Sequence, residues 1–218
     1  MCSVLEYGEN EQIMPEGVLL RRRPVSRGET IFRKDDPFRS IFAVKSGSFK
    51  TYVPKSDRGD QVVGFQLIGE LIGSEGLASE FYPFTARALE ESCVCELRLS
   101  RLTEIDCDLE KLQQGIIQLL GSEVAFNHEM ISSLVHQGAD QRIAGFLLSL
   151  SQRLERRGMQ QKSMRLSMSR GDIGNYLGLA SETVSRILTK LQKSGSIRLQ
   201  HKNLEIIDRA ALAELADI

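Results

Sequence analysis

The chain has 218 residues, a length that suits one large or two modest domains. Its composition, with 41% apolar residues and only five prolines, predicts a folded protein. No apolar run approaches the roughly 20 residues that a membrane helix needs, and the first residues lack the basic start and apolar core of a secretory signal. A cytoplasmic protein is expected, in which the four cysteines form no disulfide framework.

The net charge of −1 hides an uneven distribution along the chain. Between Gly138 and Leu204 there are 12 lysines and arginines against 4 acidic residues, whereas the remainder carries 16 basic and 25 acidic residues. A basic C-terminal part joined to an acidic remainder is expected when only one half of a protein contacts phosphates. Ordinary solvated surface can show the same bias, so the charge supports nucleic-acid binding without establishing it.

The N-terminal half is predicted to be a β domain. Residues 1–16 show no pattern and are expected to be poorly ordered, whereas residues 17–108 alternate short strand patterns with turn signals. The predicted strands include Ser40–Val44, Ser48–Val53, Gln61–Phe65 and Cys93–Leu97. The first two, separated by Lys45-Ser46-Gly47, predict a hairpin with glycine in its turn. Strands at this spacing predict a double-sheet β-roll, also called a double-stranded β-helix.

Residues 109–137 carry the pattern of one long helix that pairs with a second helix. The predicted seam steps by three and four residues through Ile117, Leu120, Val124, Asn127, Ile131 and Leu134. A single polar residue in such a seam, here Asn127, typically fixes register and oligomeric state. A second apolar stripe, which we expect to lie on the β-roll, contains Leu112, Ile116, Leu119, Phe126 and Met130. The alternative is a helix buried on two sides within one subunit.

Residues 138–218 predict a winged helix-turn-helix. A first short helix begins at the capping-box pattern Ser169-x-x-Asp172, and Gly178 suits the turn that follows it. The apolar face of the second helix consists of Val184, Ile187, Leu188 and Leu191, and its polar face consists of Glu182, Ser185, Arg186 and Thr189. The alternation of Ile197–Leu199 and Leu204–Ile206 predicts a hairpin with His201 and Lys202 at its tip.

The polar face of the second helix carries the side chains that read base edges. Arginine binds guanine O6 and N7 with two hydrogen bonds, glutamate accepts from cytosine N4, and serine can contact either kind of edge. A short helix with these residues near its N-terminus is suited to a major groove. An ordinary helical hairpin with a polar face is the alternative, and the joint occurrence of cap, turn glycine and base-reading residues argues against it.

The segment Gly178–Arg186, together with the preceding Arg170–Leu177, resembles the recognition region of the CRP/FNR transcription regulators. The E-x-x-S-R pattern of Glu182, Ser185 and Arg186 is typical of the FNR branch, while Gly28–Phe32 and Lys45-Ser46-Gly47 resemble the cyclic-nucleotide-type sensor domain. The resemblance covers nearly the whole chain after the first dozen residues. It implies an α+β protein with an N-terminal cyclic-nucleotide-binding-like β-roll, a long dimerisation helix and a C-terminal winged helix-turn-helix.

The resemblance also implies a homodimer on a palindrome with TTGAT-like half-sites. Arg186 would contact the guanine, Glu182 the cytosine side of the opposite strand, and Ser185 a neighbouring T·A pair. Arg170 resembles a phosphate-contacting position, and Thr183 is a further phosphate candidate. Weaker candidates are Lys190, Lys193, His201 and Lys202. Solvated surface is the alternative for the lysines and His201. Ala180 stands where relatives often carry a capping hydroxyl, which weakens the start of the recognition helix slightly.

Two departures from the family pattern bear on cofactors. Tyr82 and Pro83 stand where nucleotide binders carry an Arg-Ser pair that grips the cyclic phosphate, so tight cyclic AMP binding is not expected. Oxygen-sensing FNR proteins hold a 4Fe–4S cluster with an N-terminal cysteine trio and one internal cysteine. Cys95 matches the internal ligand, but Cys2 alone stands for the trio, so no cluster is expected.

The remaining cofactor assignments are less specific. Cys93, Cys95 and Cys107 are interpreted as small apolar residues, with a redox role for Cys95 and Cys93 as the open alternative. Haem-binding relatives exist, but His128 and His136 both fall in the long helix and give haem no specific support.

The sequence also bears on two other classes of function. A redox or small-molecule sensor that signals through protein contacts is the alternative to a transcription regulator. An enzyme is not expected, because the sequence contains no catalytic triad, nucleotide loop or metal-spaced His/Cys pattern. The loop Lys55–Asp60 could contact RNA polymerase, as the corresponding loop does in related activators, or be a solvated hairpin tip.

Overall fold

The computed structural model describes residues 21–55, 59–98, 109–159 and 163–217. The chain divides into two compact units, with the boundary between Val124 and Ala125 inside one long helix. Residues 1–16 lie outside the described residues. Among the described helices, none is long and apolar enough to cross a membrane.

The first unit contains two four-stranded antiparallel sheets. In spatial order, one sheet consists of β1 (Arg21–Val25), β8 (Ser92–Arg98), β3 (Ser40–Ser46) and β6 (Leu71–Ile72). The other consists of β2 (Thr30–Phe32), β7 (Thr85–Ala88), β4 (Phe49–Val53) and β5 (Gln61–Gln66). A 3-10 helix, Ser74–Ala78, follows β6. This arrangement confirms the predicted β-roll.

The predicted hairpin of β3 and β4 is wrong. β3 pairs with β6 and β8, whereas β4 pairs with β5 and β7, so the chain passes from one sheet to the other between them. The crossing occurs at Gly47, where φ is 80° and an added Cβ would lie 2.1 Å from Ser92 Oγ. Alternation along the sequence identified both strands, but the partner of each strand depends on this crossing.

Apolar side chains from both sheets meet in one buried core. It contains Val25, Phe42, Val44, Ile72 and Val94 from the first sheet and Ile31, Phe32, Phe49, Ala86 and Ala88 from the second, together with Tyr82. The two sheets therefore face each other across this core, and the intervening residues of each strand point the other way.

The long helix predicted from Leu109 is observed as α1 (Leu109–His136). The second unit continues with α2 (Ala139–Glu155), α3 (Arg170–Leu177), α4 (Ser181–Lys193) and α5 (Arg209–Ala216). Its strands β10 (Ile197–Gln200) and β11 (Asn203–Ile206) form the predicted hairpin, and β9 (Ser163–Arg165) pairs with β11 as a third strand that the sequence did not indicate. The winged helix-turn-helix is confirmed.

Candidate nucleic-acid interface

The first helix of the helix-turn-helix begins at the predicted capping box. The Asp172 N–H donates to Ser169 Oγ over 2.9 Å, and the Ser169 N–H donates to the Asp172 carboxylate over 3.2 Å. Two backbone N–H groups that lack helical partners are thus satisfied. The cap fixes where α3 starts and hence where its last turn meets the next segment.

The turn between α3 and α4 is tight and depends on two glycines. Gly178 has a φ of 67°, and its left-handed conformation ends α3. The Leu179 N–H donates to the Gly174 carbonyl over 2.7 Å, and a Cβ added at Gly174 would lie 2.5 Å from the Leu179 oxygen. The backbone therefore approaches α3 too closely for any side chain at Gly174.

The two faces of α4 are divided as the sequence predicted. The apolar residues Val184, Ile187, Leu188 and Leu191 are at most 4% exposed. Glu182, Ser185, Arg186 and Thr189 are exposed on the other face. Because the apolar face anchors α4 in the core of the unit, the rotation of the helix is fixed and the polar face is held outward.

Glu182, Ser185 and Arg186 lie together within the first two turns of this exposed face. The Ser185 hydroxyl donates its hydrogen to the Ser181 carbonyl over 2.9 Å. The hydroxyl oxygen can therefore act only as an acceptor toward a base. Ala180 is the N-cap residue of α4 and provides no side-chain cap. Thr183, half-buried in the first turn, is close to the unsatisfied N–H groups that a phosphate could contact.

The other phosphate candidates differ in their surroundings. Arg170 is half-buried at the start of α3, and this burial lowers the pKa of its guanidinium, which stays charged at neutral pH. The Lys190 ammonium lies 2.5 Å from an Asp140 carboxylate oxygen. The Lys202 ammonium donates to the Ser167 carbonyl over 3.0 Å and so ties the wing to the residues before α3.

The wing presents its tip as expected. His201 and Lys202 connect β10 to β11, with His201 in the left-handed region at a φ of 57°. Arg198 of β10 makes a 2.6 Å ion pair with Glu205 across the hairpin. The tip is therefore braced by a cross-strand pair and by the Lys202 contact.

Helix α1 exposes apolar residues at the predicted seam positions. Ile117, Val124 and Ile131 are 67%, 54% and 58% exposed, and Asn127 is also exposed. Leu120 is half-buried, and the Leu134 side chain lies outside what the structure describes. In the second stripe, Phe126 was expected to lie on the β-roll. Within the second unit, its ring lies 4.8 Å from the Arg153 guanidinium of α2, a partner that the apolar pattern did not indicate.

Tyr82, which the family resemblance places at the phosphate-gripping position, is buried in the core of the β-roll. The Tyr82 ring stacks on Phe32 with centroids 3.7 Å apart, and its hydroxyl donates to the Ser40 carbonyl over 2.7 Å and accepts from the Ser40 N–H. The residue at the phosphate-gripping position is thus packed into the core, and burial raises the pKa of its phenol. The nearby cation Arg87 instead lies 5.1 Å from the Tyr52 ring, on a strand position facing away from the core.

The cysteines do not supply a cluster from the described residues. Neither Cys93 nor Cys95 forms a disulfide within the described residues, and strand alternation places both on the face opposite Val94 of the roll core. In the described part of the chain, no group of three or more His, Cys, Asp or Glu side chains could hold a metal ion. Cys2 and Cys107 lie outside that part.

Three interacting residues of the second unit were missed by the sequence analysis. Asp140 pairs with Lys190, while Gln137 and Arg142 connect helix ends through hydrogen bonds to backbone carbonyls. A backbone carbonyl carries no sequence signal, so the partners of Gln137 and Arg142 could not be identified from the sequence. The charges of Asp140 and Lys190 were visible, but their proximity depends on how α2 packs against α4.

Comparison with known proteins finds a known family domain in each of the two units. Residues 22–105 match the cyclic nucleotide-binding domain, and residues 141–215 match the Crp-like helix-turn-helix domain. The transcriptional activator protein FnrA of Stutzerimonas stutzeri is 39% identical over 99% of this chain and 88% of the relative. The fumarate and nitrate reduction regulatory protein of Escherichia coli K12 is 36% identical over 99% and 86%.

The solved structure of FixK2 from Bradyrhizobium japonicum is similar over 91% of this chain and 98% of that chain, with a TM-score of 0.79 at 27% identity. The match therefore extends through the β-roll, the long helix and the winged domain. From its sequence, its two matched domains and its fold, the chain belongs to the CRP/FNR family of transcription regulators.

Proposed function

We propose that two copies of the chain pair along α1 and bind palindromic DNA with TTGAT-like half-sites, each copy inserting α4 into a major groove. The observation that carries this proposal is the exposed cluster of Glu182, Ser185 and Arg186 on a helix whose opposite face is anchored in the core. A helix fixed in rotation can select bases, whereas a mobile basic helix would bind phosphates without selection.

Pairing along α1 is supported by the exposed apolar seam. Ile117, Val124 and Ile131 recur every seven residues and are each more than half exposed in the single chain. Exposed apolar residues in a continuous heptad row favour a second helix as their partner. Two-fold symmetry then places the half-sites one helical turn apart, at about 34 Å.

The chemistry of each base contact follows from the side chain. Arg186 offers a bidentate pair of donors to guanine O6 and N7, and Glu182 accepts from cytosine N4. Ser185, whose hydrogen is engaged by Ser181, accepts from adenine N6 of the neighbouring T·A pair. Arg170, Thr183, Lys190 and Lys202 contact the flanking phosphates and set the register of the complex.

The proposed output is regulation of transcription in the cytoplasm, not catalysis. RNA polymerase is the proposed protein partner, through the loop Lys55–Asp60, of which residues 56–58 lie outside the described residues. The β-roll acts as a sensor or a scaffold, and the packing of Tyr82 argues against a cyclic nucleotide as its ligand. A visible absorption spectrum with metal analysis of protein purified without oxygen would identify a cluster or a haem, or neither.

Binding to defined duplexes tests the proposal. The protein is titrated against an inverted TTGAT repeat and against the same duplex with the guanine of each half-site replaced, over a range of salt concentrations. The two replacements should cost about 2–6 kcal/mol together, and affinity for both duplexes should fall as salt rises. Equal affinity for the two duplexes would show that the protein does not select this sequence.

A further inference from the structure

The side chain of Arg142 joins two helix ends that are distant in sequence. Arg142 lies in the first turn of α2, where its Nε donates to the Gln137 carbonyl over 2.9 Å. Its Nη1 donates to the Leu177 carbonyl over 3.0 Å. Gln137 directly follows α1, and Leu177 is the last residue of α3. One guanidinium therefore links the end of the dimerisation helix to the turn that precedes the recognition helix.

Other contacts hold the end of α1 in the same place. The Gln137 side-chain amide donates to the Ala216 carbonyl at the end of α5 over 2.8 Å. Further back along α1, the Phe126 ring lies 4.8 Å from the Arg153 guanidinium of α2. The last turns of α1 are thus fixed against α2 and α5 within the second unit.

The chemistry of arginine suits this position better than that of lysine. The carbonyl of Leu177 is among the last of α3, which have no partner within the helix, and a cation near such an end is favourable. The planar guanidinium holds two donors at a fixed angle, whereas an ammonium on a flexible stem does not. Arg142 Nη1 also lies 3.6 Å from where a Gly178 Cβ would stand, so the guanidinium lies against the turn itself.

We propose that Arg142 is a positioning residue that holds the helix-turn-helix at one orientation relative to the end of α1. This inference rests on the proposed function, because it concerns a dimer whose two recognition helices must meet two half-sites together. With the orientation fixed, the dimer binds half-sites at one separation and rejects others. Without Arg142 each winged helix-turn-helix rotates more freely relative to α1. The dimer then tolerates other half-site separations and binds the palindrome of correct separation less tightly.

The test compares duplexes that differ only in half-site separation. Wild type, Arg142→Met and Arg142→Lys are titrated against three kinds of duplex. These are a palindrome whose half-sites lie one helical turn apart (the native spacing), palindromes with one or two added base pairs, and a duplex with a single half-site. Arg156→Met, an exposed arginine just beyond α2, is the matched control. In Arg142→Met the ratio of palindrome to half-site affinity should fall about ten-fold. The preference for native spacing should shrink with it, and half-site affinity should change less than about three-fold.

The outcomes separate the two proposals. If wild type binds no palindrome, the proposed function is wrong whatever the variants do. If wild type binds and Arg142→Met keeps the same spacing preference, or loses palindrome and half-site binding equally, Arg142 does not position the domain. Thermal unfolding is measured first, and Arg142→Lys, which keeps the charge and can make one of the two hydrogen bonds, provides the same comparison if the methionine variant unfolds.

Discussion

At Ser185, Lys190 and Lys202, the polar atoms proposed to contact DNA already have partners within the protein. Ser185 donates to Ser181, Lys190 pairs with Asp140, and Lys202 donates to Ser167. These contacts have different consequences for binding. The Ser185 bond selects which base groups the hydroxyl can meet, whereas the Lys190 pair competes with a phosphate.

Replacing Arg186 with alanine should remove discrimination at one base pair of each half-site. The loss on the TTGAT palindrome should be about 1–3 kcal/mol per contact, with little loss on a duplex whose guanine is already replaced. Lys193→Ala is the matched control, because it removes the same charge from an exposed position at the end of α4. Fluorescence anisotropy with both duplexes measures the difference, and equal losses on both would exclude a base contact by Arg186.

The pair of Lys190 and Asp140 predicts a gain of affinity on mutation. Asp140→Asn removes the carboxylate that holds the Lys190 ammonium, so binding to specific and random duplexes should strengthen by a similar factor. The slope of log affinity against log salt should steepen by up to about one. In a Lys190→Ala background the same change should have a smaller effect. If Asp140→Asn strengthens binding equally with and without Lys190, the ion pair is not the cause.

At the scale of single elements, the sequence predicted what local patterns determine. The cap at Ser169, the turn at Gly178 and the two faces of α4 follow from spacings within a few residues, and all were confirmed. The pairing of β3 was not predictable, because it depends on the sheet crossing at Gly47. Strand β9 has only three residues, too few for an alternation to be recognised.

The tight turn of the helix-turn-helix can be tested with two glycines of α3. A methyl group at Gly174 would stand 2.5 Å from the Leu179 oxygen, so Gly174→Ala should push the backbone of the turn away and displace α4. A methyl group at Gly171 would have Ser169 Oγ as its nearest neighbour outside the adjoining backbone, at 3.6 Å, so Gly171→Ala should be tolerated.

Overpacking of this kind costs about 1–3 kcal/mol, which urea unfolding of the two variants would measure. DNA affinity should fall only for Gly174→Ala. Equal stability and equal DNA binding by the two variants would mean that the turn relaxes around the added methyl group without displacing α4.

For the whole molecule, α1 connects the two units and is proposed to connect the two subunits. The seam was visible in the sequence because heptad spacing repeats over several turns, and the exposure of Ile117, Val124 and Ile131 in the single chain supports it. The link from the end of α1 to the helix-turn-helix through Arg142 was not visible in the sequence, because Arg142 donates to backbone carbonyls, which every residue carries.

Placing a charge in the seam should separate the subunits and weaken DNA binding through loss of the second half-site. In a paired coil, Ile131→Glu sets two carboxylates against each other where two exposed apolar side chains would have been buried. The expected result is a monomer in sedimentation velocity at physiological salt. Its affinity for the palindrome should fall to about that for a single half-site, because the avidity of linked sites, roughly 10²–10⁴, is lost.

Ser132→Glu is the control for this change. Ser132 is exposed on α1 beside Ile131 and lies outside the seam positions, so the variant adds the same charge to the same turn. It should remain dimeric and bind the palindrome as wild type does. Because both variants add one glutamate to one helix, a general effect of charge on α1 would dissociate both. A dimer that persists in Ile131→Glu would place the contact between subunits elsewhere, and the two recognition helices would then not be held apart by α1.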